Sequence, residues 1–549
     1  MTRRMIYNDD SQGVSETRPG FARADLEAWV DRPLTGLNID TYAWCIAFPD
    51  ICQHHTKVGE VYGARFDEPP NDAVRAIAEL HAEGTDVLHV VAERARHHGV
   101  EFVASVRMND THGLYPDSNE PGISQLLIDH PEWVIRRDDG VPERALDYSV
   151  PEVRAHRLAI LRELAEGYDI DGIELDFTRW AKFFPRDEAV FKAPMMTQFI
   201  LDVRQMLDEV AEARARDRFI LGVQVLESVH LSLLAGLEVS RWVERQSIDY
   251  LIQCDFNSTN PQLPVAEFAD MCEGSPCTHH VRMGNMNGGS WGGKPHLTGR
   301  STAAYKGNPS YGGMVLTPEE ARGAAANIYG FGARGIGLWN ICCNLGDRHK
   351  AGSTGPDRAK FQQDMFDWIT AVDAPEKVWS AERVYHFVPL YKRAELPVRN
   401  YPVNALLMGP TGWLTQIVTF SARSQGYRQP YRFLCADGDR VTGDRVESDT
   451  ADGDRSELSL RGEMRWRILD AVPGDVFRFD LNGCPLDVSC EIEEDEELPA
   501  LWFTATLSAN SGLAGANELG MTLVEREGDA TSSPYMEELL VIVEGPDEG

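Results

Sequence analysis

The chain has 549 residues, of which 43% are hydrophobic and 25% are charged, and this composition is typical of globular proteins with two or more domains. Its formal net charge of −33 would repel nucleic acids and anionic membrane surfaces, so the sequence predicts neither as a partner. It contains no apolar run of about 18 residues, the length expected of a membrane span.

The amino-terminal stretch MTRRMIYNDD lacks the apolar core of a secretory signal. The 10 cysteines are scattered and form no CxxC pair, which favours reduced thiols. The cytoplasm is therefore the predicted location. No GxGxxG follows the first predicted strand and no HExxH occurs, so we expect no cofactor and no metal ion, although a carboxylate-only calcium or magnesium site stays open.

Up to about residue 370, short apolar strands alternate with helical patterns, as in a parallel sheet. The eight predicted strands cover residues 3–8, 36–44, 101–108, 171–177, 219–226, 249–255, 277–283 and 335–340. Helical patterns fill most of the intervals between them. Eight strand–helix units predict an α/β fold, a (β/α)8 TIM barrel, over residues 1–375. A doubly wound sheet is the alternative, but it does not need eight units.

Beyond residue 375 the helical periodicity fades and short alternating runs such as WLTQIVTFSA, DVFRFDLNG and ALWFTATLSA take its place. Turn-rich pieces such as ADGDR and VPGD separate these runs. Short strands at this spacing predict an all-β sandwich domain over residues 376–549.

The fourth predicted strand carries two carboxylates, Glu174 and Asp176, inside the apolar run DGIELDF. Side chains alternate along a strand, so both acids face one side while Ile173, Leu175 and Phe177 face the other. The apolar set suits the surrounding helices, which leaves the acids pointing into the barrel. Because active sites of such barrels lie at the carboxyl ends of the strands, we expect Asp176 at the mouth and Glu174 one layer below.

The other predicted strand ends supply further polar and aromatic side chains. This pattern suits sugar recognition, since aromatic rings stack on sugar faces while amides, carboxylates and arginines bind hydroxyl or acidic groups. We therefore expect a carbohydrate as the partner, with a uronate or a sulfated sugar among the candidates. The predicted substrate-binding residues are Asp40, Trp44, Arg107, Asn109, Asp110, His112, Arg179, Gln224, Asn257, His280, Arg282, Trp339 and Asn340.

Two carboxyl groups that face each other across such a mouth are the minimum for cleaving a glycosidic bond. One must be protonated, to assist the leaving oxygen, and the other ionised, as nucleophile or as base for water. The candidate catalytic residues are Asp176, Asp255, Glu227 and Glu174. A pairing of Glu174 with Arg107 is the alternative to a catalytic role for that acid.

Several segments resemble the glycosyl-hydrolase-like, family-10-like barrel proteins. They are HPEW (130–133), ALDYSVPEVRAHRLAILREL (145–164), DGIELDFTRW (171–180) with the following FFP, GARGIGLWN (332–340) and GANELGMTL (515–523). The resemblance implies a glycosidase barrel with a carboxy-terminal β-sandwich and a catalytic acid at Asp176. It differs from retaining barrels that place a glutamate on the seventh strand, which leaves Glu227 and Asp255 as partner acids.

Two further functions stay open at this point. One is a sugar isomerase, epimerase or lyase on the same scaffold, since one fold hosts many chemistries. The other is a carbohydrate-binding barrel without catalysis. A homo-oligomer is compatible with the sequence, which gives no signal for or against it.

Overall fold

A computed structural model describes residues 4–11, 14, 20–110, 120–136, 140–254, 259–284, 286–287, 314–339, 341, 356–387, 418–421, 423–442, 460–493, 499–528 and 533–546. The chain divides into two compact units. The first comprises residues 1–256, 266–284 and 333–349, and the second comprises 257–265, 285–332 and 350–549. These units are defined by contacts in space and each contains several chain segments. The predicted domain boundary between residues 375 and 376 is a single division of the chain and stays a prediction.

The first unit contains a closed barrel of parallel strands. In chain order its eight strands are β1 Met5–Asp9, β2 Thr41–Phe48, β3 Glu101–Arg107, β4 Gly172–Asp176, β5 Ile220–Val225, β6 Tyr250–Gln253, β7 Thr278–Met283 and β8 Gly335–Trp339. Each strand pairs in parallel with its neighbours in the chain, and β1 closes the ring by pairing with both β2 and β8. The predicted (β/α)8 barrel is confirmed.

Helices occupy the connections between these strands. They are α1 Arg23–Gly36, α2 Asp72–Ala82, α3 Val87–His97, α4 Gln125–Asp129, α5 Pro151–Gly167, α6 Ala189–Ala213, α7 Val229–Leu234, α8 Val239–Glu244 and α9 Val265–Cys272. Capping side chains stabilise the first turns of several helices. Asn71 accepts a hydrogen bond of 2.9 Å from Val74 N before α2, and Asp86 accepts one of 2.9 Å from Leu88 N before α3.

Short elements complete the connections of the first unit. The strands Ile51–Cys52 and Glu60–Val61 extend the sheet beside β2, and Val134–Arg136 pairs with Pro142–Leu146 in a separate two-stranded sheet. Single 3-10 turns lie at Pro131–Trp133 and Arg186–Glu188. No helix within the described ranges has the length and apolar character needed to cross a membrane.

The second unit contains two antiparallel sheets. The first has the order β9 Arg383–Phe387, β16 Tyr535–Val543, β11 Arg461–Leu469, β14 Ala500–Ser508, β13 Ser489–Glu493. The second has the order β10 Gln429–Leu434, β15 Ala516–Glu525, β12 Val476–Leu481 and the short strand Cys484–Pro485. The rings of Trp466 and Phe503, from the first sheet, lie 4.9 and 4.6 Å from that of Phe479, from the second. The predicted β-sandwich is confirmed.

Further elements of the second unit are the helices α10 Pro318–Gly330, α11 Pro356–Thr370, α12 Pro375–Trp379 and α13 Ala436–Thr442, and the short pair Met286–Asn287 with Met314–Val315. Thr317 begins α10 with a capping box, since its hydroxyl accepts from Glu320 N while the Glu320 carboxylate accepts from Thr317 N.

Candidate active site at the carboxyl end of the barrel

Glu174 lies at the centre of a hydrogen-bonded layer inside the barrel. Its Oε1 accepts from Asn8 Nδ2 and Ser105 Oγ at 2.9 Å and from Gln224 Nε2 at 2.6 Å, and its Oε2 accepts from the Tyr250 hydroxyl at 2.9 Å. These donors come from β1, β3, β5 and β6, so the acid faces inward, as strand alternation predicts. Complete burial raises the pKa of Glu174, the donors oppose that rise, and the Asp176 charge adds to it.

Asp176 ends β4, in register with Arg107 on β3 and Gln224 on β5. Its Oδ1 accepts from Thr178 N at 2.8 Å, from the Thr178 hydroxyl at 2.7 Å and from Arg179 N at 3.2 Å. Its Oδ2 accepts no hydrogen bond from any residue that the structure describes. The strand thus ends in a buried carboxylate that accepts three hydrogen bonds at one oxygen and none from the described residues at the other.

Arg282 on β7 bonds one hydrogen-bond donor of each acid and is 2% exposed. Its Nη2 donates to the Thr178 hydroxyl at 2.8 Å and also to Oε1 of Gln224. Its guanidinium carbon lies 4.4 Å from the centre of the Trp339 ring, within reach of a cation–π interaction. Trp339 is therefore a packing surface for this arginine in the described structure, with its ring 2% exposed.

A second group of charges joins three strand ends. Asp10, after β1, pairs with Arg107 through Oδ1 and with Arg179 through Oδ2 at 3.1 Å. Arg107 also pairs with Asp110 at 2.6 Å, and the Arg179 guanidinium carbon lies 5.0 Å from the ring centre of Trp339. The pairing proposed between Arg107 and Glu174 is not among these contacts. The buried charges compensate one another, as burial requires.

Asp9, at the end of β1, is a buried acid that the sequence analysis did not assign to the site. Its Oδ2 accepts from the Tyr42 hydroxyl at 2.8 Å and from Trp29 Nε1 at 3.0 Å, and its Oδ1 accepts from Ser11 N at 2.9 Å. Burial raises the pKa of Asp9 to about 6 against the effect of these donors, and the charge of Asp10 adds to the rise.

Two residues predicted at the mouth lie elsewhere because β2 ends at Phe48 and not at residue 44. Asp40 precedes the strand and accepts from Arg4 N and Met5 N at 2.8 and 2.9 Å, at the amino end of the barrel. Trp44 lies mid-strand, fully buried, with its Nε1 3.4 Å from Oε1 of Gln53. These contacts hold backbone and core, and neither side chain joins the group around Asp176.

Three other predicted residues also have buried contacts of their own. Asn109 donates to the carbonyl oxygens of Leu146 and Lys182, and His280 lies fully buried on β7, its ring 6.0 Å from that of Tyr250. Glu227, after β5, is 5% exposed, and its backbone oxygen accepts from Gln253 Nε2 at 2.7 Å. The remaining predicted residues lie outside the described residues: His112, Asp255, Asn257 and Asn340.

Several residues of this site were absent from the sequence-based prediction. Thr178 and Tyr250 are examples. A threonine after a strand or a tyrosine at the start of a strand does not by itself predict a hydrogen-bond donor to a carboxylate. Asp10, in the run NDD, was not among the predicted site residues, although an acid directly after the first strand of a barrel is a signal that places it at the mouth. Asn8 and Ser105 also belong to the layer around Glu174.

Within the described part of the chain, no group of three or more His, Cys, Asp and Glu side chains is arranged to hold a metal ion. The described cysteines are free thiols, and burial raises the pKa of those nearest the site, Cys45 and Cys254, far above the ordinary value. The charged side chains that meet at this end of the barrel are carboxylates and arginines.

No protein-family model matches the sequence, and no curated protein matches it. Among solved structures, α-L-fucosidase isoenzyme 2 from Paenibacillus thiaminolyticus is 11% identical with a TM-score of 0.39, and the match covers 96% of this chain and 100% of that one. The noncanonic maltogenic α-amylase AmyB from Thermotoga neapolitana is 13% identical with a TM-score of 0.36, over 96% of this chain and 100% of that one.

A third solved structure is the PgaB (BpsB) glycoside hydrolase domain from Bordetella bronchiseptica, which is 12% identical with a TM-score of 0.38, over 66% of this chain and 99% of that one. Because these likenesses are weak in sequence and in geometry, the assignment of the barrel rests on the strand pairing of this chain. The resemblance to family-10-like proteins stays a prediction.

Proposed function

We propose that this chain is a glycoside hydrolase that cleaves an oligosaccharide or a modified glycoside, with Asp176 as the ionised carboxylate. The observation that carries the proposal is the hydrogen bonding of the two carboxylate oxygens of Asp176 at the carboxyl end of β4. Three donors hold its Oδ1, while its Oδ2 accepts from no described residue and remains available to a substrate. A carboxylate held in this way suits a nucleophile or a base for water better than a proton donor.

The acid that assists the leaving group would be Glu227 or Asp255, which follow β5 and β6 in the sequence. Glu174 is a weaker candidate because four side chains surround its two oxygens and it is fully buried. In this proposal Glu174 holds the layer beneath the reacting acid. Arg107 and Arg179 lie beside this acid, and their charges are compensated by Asp10 and Asp110.

The test is release of reducing sugar, or of an aryl leaving group, across a broad panel of glycans and aryl glycosides that includes uronates and sulfated sugars. We expect turnover by the wild type and a loss of at least about 100-fold in Asp176→Asn, since the variant removes the charge that the chemistry uses. Asp187→Asn is the matched control, because Asp187 is exposed on the 3-10 turn that follows β4.

Two outcomes contradict the proposal in different ways. Full activity of a correctly folded Asp176→Asn variant removes Asp176 from the mechanism. Sugar binding by calorimetry without turnover on any substrate of the panel indicates a carbohydrate-binding barrel. Glu227→Gln and Asp255→Asn, assayed on the same panel, identify the partner acid by which variant loses turnover on substrates with poor leaving groups.

A further inference from the structure

The two acids of β4 are connected by a chain of hydrogen bonds that passes through another strand. Glu174 accepts from Gln224 Nε2 at 2.6 Å, and Gln224 accepts from Arg282. Arg282 donates at 2.8 Å to the Thr178 hydroxyl, which donates at 2.7 Å to Oδ1 of Asp176. Glu174 and Asp176 therefore share one polar chain with the guanidinium at its centre.

The chemistry of arginine fixes the direction of every bond in this chain. A guanidinium only donates, so the Gln224 atom that faces Arg282 must be the carbonyl oxygen, and the amide nitrogen must face Glu174. By the same argument the Thr178 hydroxyl accepts from Arg282, and its single proton is left for Asp176. Both carboxylates are accordingly held as acceptors at the oxygens that face the chain.

The surroundings strengthen this arrangement, because Thr178, Gln224 and Arg282 are each less than 5% exposed. Water then competes poorly for these bonds, and bonds in a chain polarise one another. The Trp339 ring, 4.4 Å from the guanidinium carbon, limits the positions that Arg282 can adopt. The position of the Thr178 hydroxyl is thus set from β5, β7 and β8 as well as from its own turn.

We propose that Thr178, which Arg282 and Gln224 orient, is a positioning residue for Asp176. Its hydroxyl keeps Oδ1 of Asp176 as a hydrogen-bond acceptor and leaves Oδ2 as the reacting oxygen. The proposal rests on the proposed function for its catalytic meaning, but the coupling that it requires exists whether or not a substrate is known. It also assigns to Arg282, predicted from the sequence to bind substrate, the task of orienting the acid.

The first experiment measures that coupling without any activity. The midpoints of urea unfolding of Thr178→Val, Gln224→Met and the double variant are compared with that of the wild type. Together they form a double-mutant cycle between two residues that both accept hydrogen bonds from Arg282. We expect the double variant to lower the unfolding midpoint by clearly less than the sum of the single changes, because either change already loosens the guanidinium. Thr178→Val combined with Asn71→Ala is the control, since Asn71 caps α2 and shares no partner with Thr178.

Additive midpoints in the Thr178–Gln224 cycle would overturn the proposal, because the two arms of Arg282 would then act independently. Thr178→Ser keeps the hydroxyl and is expected to restore the coupling. If Thr178→Val does not fold, Thr178→Ala removes the same hydroxyl with less bulk and takes its place in the cycle.

The second experiment uses the pH profile of turnover on a substrate found in the glycoside panel. Thr178→Val removes a donor to the ionised acid, so we expect the acidic limb of the kcat/KM profile to move to higher pH, with kcat lowered more than KM changes. Thr178→Ser should return the limb to its wild-type position. The charged and titratable neighbours that share this profile are the arginines Arg107, Arg179 and Arg282, the acids Asp10, Asp110 and Glu174, and the thiols of Cys45 and Cys254.

An unchanged profile in Thr178→Val would overturn the positioning role even if the unfolding midpoints were coupled. Absence of turnover in the wild type, together with coupled midpoints, would instead contradict the proposed function and leave the chain of bonds established. The two failures therefore have different signatures.

Discussion

The hydroxyl of Tyr250 donates a hydrogen bond of 2.9 Å to Oε2 of Glu174 across the interior of the barrel. Tyr250 lies on β6 and Glu174 on β4, so the bond passes over β5, the strand between them. It closes the ring of donors around Glu174 and explains how an acid is accommodated in a core strand. Several consequences can be measured.

Glu174→Ala should destabilise the protein by about 2–4 kcal/mol, because it leaves buried donors of Asn8 and Gln224 without an acceptor and opens a cavity. Glu174→Gln should cost less, since an amide oxygen can accept from the same donors. Urea unfolding measures both. Equal losses in the two variants would show that the second carboxylate oxygen, which both variants lack, carries the contribution and that the volume of the side chain adds nothing.

The contribution of Glu174 to the stability of the folded protein changes with pH in a definite direction. Its pKa is raised in the folded protein by burial, so its contribution to stability is complete below the ordinary carboxyl value and is lost as the pH rises through the folded value. The stability of the wild type relative to Glu174→Gln should therefore fall over the interval of rising pH that begins at the ordinary carboxyl value. A rise over that interval would indicate that the donors outweigh burial and hold the acid ionised.

Gly222 on β5 makes room for the bond between Tyr250 and Glu174. It is in register with both residues, and a Cβ at this position would overlap Cζ and the hydroxyl oxygen of Tyr250. Gly222→Ala should destabilise the protein by about 1–3 kcal/mol and displace the tyrosine from the acid. Thermal unfolding checks the first effect and a crystal structure of the variant the second.

The control for Gly222 is Gly167→Ala, at the end of α5, where an added Cβ meets nothing within 4 Å. We expect this variant to unfold at the wild-type temperature or slightly above it. Wild-type stability in Gly222→Ala would mean that the barrel has more space between these strands than the structure shows.

Asn109 connects the end of β3 to two other backbone segments. Its Nδ2 donates to the carbonyl oxygens of Leu146 and Lys182, and its Oδ1 accepts from Leu146 N at 3.0 Å. Asn109→Asp would turn a carboxylate oxygen toward two carbonyl oxygens, so it should destabilise the protein by about 3–4 kcal/mol and more than Asn109→Ala does. Differential scanning calorimetry of both variants shows which of them loses more stability.

Asn71→Asp provides the comparison for Asn109. Asn71 caps α2 by accepting from Val74 N, and aspartate caps helices equally well, so we expect a change of less than about 0.5 kcal/mol. If Asn109→Asp is tolerated as well as Asn71→Asp, the two carbonyl contacts of Asn109 do not contribute to stability.

His386 in the second unit predicts a loss of stability at alkaline pH. It is fully buried, with Nδ1 2.9 Å from Oε1 of Glu320 and Nε2 2.7 Å from Oε2 of Glu538. Burial disfavours the charged ring, but the two carboxylates outweigh that effect and raise the pKa of His386 from 6.5 to about 9. The stabilisation is complete below the unfolded value and is lost as the pH rises through about 9.

His386→Gln should therefore lower the free energy of unfolding by about 3–5 kcal/mol at neutral pH, because it leaves two buried carboxylates without their cation. The gap between variant and wild type should narrow as the pH rises from 6.5 to about 9 and change little beyond that. Urea unfolding across this range, followed by a signal from the sandwich unit, is the measurement. A gap that stays constant would show that the ring is neutral at both ends of the range.

The amino-acid pattern by itself determined the architecture and the two central acids. Eight strand–helix alternations predicted the barrel, and the period of two along DGIELDF placed Glu174 and Asp176 on the inner face, because both signals are local to a segment. The end of the second strand was predicted wrongly, since the apolar run AWCIAF continues past residue 44 and a run gives no end signal without a turn residue.

Only the closed barrel decided which side chains hold those acids. Thr178 and Arg282 are 104 residues apart, and Asn8 and Glu174 are 166 apart, so no spacing in the sequence relates them. Their contacts arise when β1 pairs with β8 and brings distant strand ends into one layer. Alternation along a strand fixes which face a side chain occupies, whereas its hydrogen-bond partners depend on the register between strands, which is set when the whole sheet closes.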